Sequence, residues 1–275
     1  MLLHNAKEQF INHLQALNRS EETIRAYNKI LDYLDEHLSS KFNGPVYLED
    51  ITFSDLDDFI YYMRINRGWA PNSVQRSSYA IRSFFGYCFR KKLIAEDISI
   101  YMEPVKGEQK EREYLAPEDY DELSTAIDHP TVHAITATMY YAGVRIGEAI
   151  SLSLDDVDFG RGVLHVRKTK GKVDRVVPIS DKLRPILEYY KREHRPPVDS
   201  NYFFATKKSG CISRQHVTNK LHEATKKLSW KQSVNPHVLR HSFASNLIKE
   251  NVHLVHVQKL LGHKDLRTTG CLHGS

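Results

Sequence analysis

His237 and Arg240 stand three residues apart in Pro236-His237-Val238-Leu239-Arg240-His241-Ser242, a spacing that puts both side chains on one face of a helix. One can move a proton near neutral pH, and the other can grip an anion with a fixed fork of donors. A second histidine, His263, follows a Leu260-Leu261-Gly262 break. Upstream, Arg145 and Glu148 repeat the three-residue spacing in Ala142-Gly143-Val144-Arg145-Ile146-Gly147-Glu148, and Lys170-Gly171-Lys172 interrupts a β-branched stretch. Each feature alone has an ordinary explanation. An Arg-x-x-Glu pair is usually a surface ion pair contributing ~0.2–0.5 kcal/mol, a Lys-Gly-Lys turn is usually just solvated, and a lone histidine is usually structural. The whole set in this order is harder to obtain by chance.

The elements that must position these residues can be read from periodicity. Residues 163–167 and 174–179 read as two strands of a hairpin turning at Gly171. Tyr202-Phe203-Phe204-Ala205 is expected as a third short strand. Helices are expected from Pro117, over 131–141 (apolar on most sides, hence buried), from about Arg145, over 181–194 and over 214–228. Residues 1–105 carry only helical periodicity. The first helix is expected over 6–18, and the second follows Ser20, a good N-cap with Glu21 and Glu22 in the first turn. A third opens at Thr52 or Ser54, and a longer one runs from Pro71 to about Lys92, capped by Asn72 or a neighbour. The expected class is mainly α with a small antiparallel β-sheet: a helical bundle over 1–105, a polar linker over 106–112, and a second domain over 113–275.

Composition narrows the function. The chain of 275 residues has 41% hydrophobic and 27% charged residues, as in soluble globular proteins. No apolar run approaches the ~20 residues that span a bilayer, so no membrane partner is expected. Cys88, Cys211 and Cys271 form no C-x-x-C pair, which favours a reducing compartment, the cytoplasm, over a disulfide framework. The net charge of +5 is unevenly spread: residues 1–112 hold 15 Lys/Arg against 16 Asp/Glu, and residues 113–275 hold 24 against 18. Basic residues Arg76, Arg82, Arg90, Lys91 and Lys92, with Ser77 and Ser78 between, are expected on the outer face of the fourth helix, either as a solvated face or as a row of phosphate contacts. Histidines 253, 256 and 263 lack a nearby carboxylate trio or Cys, so neither a metal nor any other cofactor is expected.

The ordered motifs resemble the tyrosine recombinase family of phage integrases and Xer-type recombinases. Gly143-Val144-Arg145-Ile146-Gly147-Glu148 is similar to its G-x-R-x-x-E element. The run from Lys170-Gly171 through Arg175 to Pro178 is similar to K-G-x-x-x-R-x-x-P, and H-x-x-R and L-G-H follow. The resemblance implies a SAM-like core-binding domain at the N-terminus and an integrase-type catalytic domain after it. It also implies a site-specific recombinase that cleaves and rejoins duplex DNA through a phosphotyrosine intermediate and assembles as a tetramer on DNA. Type IB topoisomerases share the chemistry, but the K-G and L-G-H elements look more like the integrase branch.

Such chemistry explains the residue types. Arg145 and Arg240 would hold the non-bridging phosphate oxygens as the charge builds, with Glu148 orienting Arg145. Lys170, or its neighbour Lys172, would protonate the leaving 5′ oxygen. His237 would accept or share the nucleophile's proton, and His263 would donate to a phosphate oxygen. Lys172, Arg175, Arg76, Arg82, Lys207, Lys208 and Arg214 are expected DNA contacts, unassigned between base and phosphate. A two-domain clamp closing on the duplex would make affinity fall steeply with salt.

The family pattern places its nucleophilic tyrosine nine residues after the L-G-H histidine. Here that position is Leu272, within Gly270-Cys271-Leu272-His273-Gly274-Ser275, and no tyrosine follows Tyr202. The end therefore reads as a family end with the tyrosine deleted and the chain cut soon after, without the further helix that would dock on a neighbouring protomer. The expectation is a chain that binds DNA but is cleavage-deficient, a truncated recombinase. The competing reading is a non-catalytic DNA-binding module or regulator derived from an integrase. Cys271 is a conceivable thiolate nucleophile, one position away and with a different reach.

Overall fold

The computed structural model describes residues 1–108, 114–167, 175–208, 210–232 and 234–262. Lys170, Lys172, His263, Cys271 and Leu272 lie outside these, as does the expected turn at Gly171. The chain divides into two compact units, Met1–Lys110 and Glu111–Ser275.

The first unit is helical. Helix α1 (Leu3–Ala16) begins three residues before the expected start, because Leu3 and Ala6 are buried and continue the apolar stripe of Phe10 and Leu14. Helix α2 (Glu21–Phe42) is capped by Ser20, whose hydroxyl accepts from the Thr23 N–H at 3.2 Å. It ends at Asn43 in the left-handed region. Thr52 caps α3 (Phe53–Tyr61), and the Asp55 carboxylate in turn accepts from the Thr52 N–H at 2.8 Å. Helix α4 (Pro71–Arg90) starts at Ala70 with no side-chain cap. Asn72 instead uses its amide to donate to the Glu108 carbonyl at 3.1 Å, while Gln75 donates to the Val105 carbonyl at 3.0 Å. The start of the expected linker is thus tied back onto α4.

Two further expectations for α4 need correction. Ser77 and Ser78 are buried, their hydroxyls bonded to the carbonyls of Ser73 and Gln75. Arg82 is half-buried and donates to the Met102 carbonyl, so it is not part of an outer basic row. Arg76, Arg90, Lys91 and Lys92 are exposed.

In the second unit α5 (Pro117–Ala126) and the apolar α6 (Pro130–Ala142) lead to α7 (Ile146–Ile150). A three-stranded antiparallel sheet follows, in order β1 (Val157–Asp158), β2 (Val163–Val166) and β3 (Arg175–Pro178). The hairpin register pairs Val166 with Arg175 and Val163 with Pro178. The third strand is not the expected one. Phe203 and Phe204 are fully buried in the core of the unit, and Tyr202 forms only an isolated bridge to Ser153. That aromatic run serves packing rather than the ladder. Helices α8 (Leu183–Tyr189), α9 (Arg214–Lys227), α10 (Pro236–Lys249) and α11 (Leu254–Leu261) complete the described chain. Helix α10 packs against α6, and α11 packs against α10 and β3. No helix of the described residues is long and apolar enough to cross a membrane.

Candidate functional site

The site is built at the ends of short elements. Helix α6 stops at Gly143, whose φ of +63° suits glycine and where an added Cβ would lie 2.2 Å from the Phe243 ring. Two residues later Arg145 occupies the N-cap of α7, and Glu148 sits at the third helical position. The Glu148 carboxylate accepts from the Arg145 N–H at 2.8 Å and from Arg145 Nη1 at 2.9 Å. Arg145 keeps 40% of its side chain exposed.

Arg240 comes from the other side. Asn235 caps α10 by accepting from the N–H groups of His237 and Val238, at 2.9 and 3.3 Å, with Pro236 in the first turn. The Asn-Pro pair before the H-x-x-R element is a cap signal that the sequence carried unread. One helical turn in, Arg240 is buried. Its Nη1 donates to the Gly143 carbonyl and its Nη2 to the Leu261 carbonyl, both at 2.6 Å, and Nη1 lies 3.7 Å from Glu148 Oε2. Arg145 and Arg240 therefore meet at one carboxylate, although they are far apart in sequence.

Arg175 is the third guanidinium on that carboxylate. From β3 it makes a two-pronged pair with Glu148, 3.0 Å to Oε1 and 2.7 Å to Oε2, and its Nε donates to the Leu260 carbonyl at 2.6 Å. Its side chain is only 9% exposed, so the expected DNA-surface contact is instead an interior link. The sequence signal was present in the K-G-x-x-x-R-x-x-P spacing, but its burial depends on contacts with residues 27 and 85 positions away.

Electrostatics follow from this packing. Burial pushes the Glu148 carboxyl up, but hydrogen bonds from Arg175 and from the Arg145 backbone and side chain outweigh it and hold the group at about 2. For Arg240, burial and then the neighbouring Arg145 lower the value, Glu148 raises it and Arg175 lowers it again, leaving about 9. Arg240 therefore stays cationic at neutral pH. The cluster carries three guanidiniums against one carboxylate, a surplus of positive charge suited to an anion.

The other described candidates lie on separate elements. His237 is exposed at the first turn of α10. Arg214 begins α9, and its guanidinium lies over α7, 2.7 Å from where a Cβ on Gly147 would be. Lys207 and Lys208 are exposed on the turn before α9, and Arg76 is exposed on α4 in the other unit. His253 and His256 at the start of α11 stand with rings 6.2 Å apart. Among the described residues, no group of three His, Cys, Asp or Glu comes together to hold a metal.

Comparisons with known proteins agree with one another. The model of the phage integrase family matches residues 113–271, and that of the phage integrase SAM-like domain matches residues 3–102. Tyrosine recombinase XerD of Listeria monocytogenes serovar 1/2a is 30% identical over 262 residues, covering 91% of this chain and 86% of that protein. XerD of Proteus mirabilis is 32% identical over 276 residues, covering 95% and 86%. Among solved structures, a lambda integrase dimer bound to a COC' core site gives a TM-score of 0.82 at 17% identity, over 100% of this chain and 96% of that one. The Tn1549 transposon integrase in complex with circular intermediate DNA gives 0.80 at 15%, again over 100% and 96%. At such identities the structural likeness speaks for the fold.

Proposed function

Because the chain belongs to the phage integrase family of tyrosine recombinases, we propose that it binds duplex DNA as a site-specific recombinase does, with Arg145 and Arg240 on a backbone phosphate, but forms no covalent link to the strand. The observation that carries the phosphate assignment is the shared carboxylate: Glu148 lies 2.9 Å from Arg145 and 3.7 Å from Arg240. Two guanidiniums held side by side can each take one non-bridging oxygen of a phosphodiester. Because they are already fixed, little reorganisation is needed as charge builds there. Arg240 gives rigidity through its two carbonyl contacts, and Arg145 gives access.

The remaining roles follow from the motifs. Lys170, with Lys172 as its neighbour, stands as general acid to the leaving 5′ oxygen. His237 takes or shares the proton of an attacking hydroxyl, and His263 donates to a phosphate oxygen. Leu272 supplies no nucleophile where the family pattern has tyrosine, so the phosphate is held without being attacked. The lambda integrase structure is a dimer and another is a tetramer on a Holliday junction. Self-association on DNA is accordingly part of the proposal.

The test uses duplexes selected from a random pool by binding to this chain, then nicked so that any cleavage is trapped. The expected result is a gel shift that weakens steeply with salt and no covalent band on a denaturing gel. Absence of binding at low salt overturns the DNA reading. A covalent band that survives Cys271→Ala reveals another nucleophile, and a band lost in that variant assigns the thiolate; either result overturns the cleavage-deficient reading.

A further inference from the structure

Three chain segments meet on one side chain. Arg175 opens β3 and pairs with Val166, the pair of the ladder nearest the hairpin loop. Its Nη atoms hold both oxygens of Glu148 on α7, and its Nε holds the carbonyl of Leu260 in the last turn of α11. A cation at a helix C-terminus meets the negative end of the helix dipole. The next residue but one, Gly262, lies so close that an added Cβ would stand 3.2 Å from both Cδ and Nη1 of Arg175.

The Glu148 carboxylate is filled. An ionised carboxylate offers about four lone-pair positions. Those of Glu148 are taken by the Arg145 N–H, Arg145 Nη1, Arg175 Nη1 and Arg175 Nη2. Arg145 therefore reaches Glu148 through one side-chain nitrogen only. Among the described residues no partner takes its other guanidinium donors, and 40% of the side chain is exposed. Without Arg175, two lone pairs open and the neighbouring Arg145 guanidinium can close on Glu148 with both prongs, away from a ligand.

We propose that Arg175 is a positioning residue: it fastens the start of β3 and the end of α11 to Glu148, and by filling that carboxylate it keeps Arg145 turned outward to a ligand phosphate. The contacts stand on their own, while the ligand in this statement rests on the proposed DNA binding.

The test measures hydrogen exchange of the DNA-free protein and duplex affinity side by side. Arg175→Lys keeps the charge but loses the planar fork. It should speed exchange of the amides at 257–262 and weaken duplex binding, each by about tenfold, the loss of one charge-assisted hydrogen bond. An Arg145→Ala background removes the side chain through which Arg175 is proposed to act. There Arg175→Lys should cost little further affinity while still speeding exchange at α11, a separation that a purely structural role would not give. Arg175→Gln run in parallel covers the case in which the lysine variant does not fold. Exchange at α11 equal to wild type, or an affinity loss in the Arg145→Ala background as large as in the wild-type one, overturns the proposal. If the wild-type chain binds no duplex, the DNA reading fails by itself, and exchange at α11 still decides whether Arg175 fastens that helix.

Discussion

Arg240 donates to the carbonyl of Gly143 at 2.6 Å, across 97 residues of chain. The same guanidinium reaches the Leu261 carbonyl, so one buried cation closes the ends of α6 and α11 onto α10. Removing it takes a donor from each of two carbonyls and one cation from Glu148. Arg240→Met is expected to cost about 2–4 kcal/mol of stability, the usual range for breaking a buried charged contact. Trp69 and Trp230 are the two tryptophans, and Trp230 packs against the core of the second unit. Urea unfolding in a Trp69→Phe background therefore reads the affected unit. A midpoint equal to that of the parent would contradict the bridging role.

Glu148 gives the cluster a defined acid limit. Its folded value of about 2 lies below the ordinary 4.5. Its stabilisation is therefore complete above the ordinary carboxylate range and drains away as pH falls from about 4.5 toward 2. The contribution is on the order of 2 kcal/mol once solvent screening is allowed for. Glu148→Gln should be less stable than wild type at pH 6, and the gap should shrink steadily below pH about 4.5. A gap that stays constant down to pH about 2 would mean that the ion pairs contribute nothing.

Gly143 is constrained twice, by its backbone and by its neighbour. At φ +63° an alanine is strained, and its Cβ would stand 2.2 Å from Phe243. Gly143→Ala should lose about 2–4 kcal/mol from the two effects together. Pairing it with Phe243→Leu should recover part of that, because only the steric share can be relieved. Thermal melts of the single and double variants check the split.

The parts of this site that were legible in the sequence are those set by local spacing. The Arg145–Glu148 pair is one helical turn, and the two strands of the hairpin follow from β-branched runs on either side of Lys170–Lys172. Ser20 and Thr52 cap helices as their residue types dictate. What was misread depends on distant partners. Arg175 looked like a surface cation until Glu148 and Leu260 closed around it. Arg82 looked the same until the Met102 carbonyl claimed it. Tyr202–Ala205 has the composition of a strand, but Phe203 and Phe204 are drawn into the core instead. Asn72 has the right type for a cap, yet the helix already begins at Pro71, so its side chain instead donates to the Glu108 carbonyl.

The same distinction predicts two classes of basic residue. Arg76, Lys207 and Lys208 are exposed. Replacing each by alanine should lower duplex affinity across all sequences and reduce the slope of log affinity against log salt by about 1. Arg82→Ala should instead lower the melting temperature, through the lost Met102 contact, and leave the salt slope unchanged. Salt titrations and melts on the four variants separate the classes. An equal slope change for Arg82→Ala would return it to the DNA surface.

Leu272→Tyr tests whether the rest of the machinery is competent. Arg145 and Arg240, proposed to hold the phosphate, are fixed by contacts to Glu148, Gly143 and Leu261, none of which involves residue 272. A hydroxyl restored at the position where the family pattern has its nucleophile should therefore find its electrophile already held. The variant is expected to form a covalent adduct with a nicked duplex, visible on a denaturing gel, and the wild-type chain is expected to form none. Combining it with Arg240→Lys should reduce adduct formation by about 10²–10³, the scale for losing one preorganised charge stabiliser. If Leu272→Tyr gives no adduct although the duplex is bound at wild-type affinity, then more than the nucleophile separates this chain from strand cleavage.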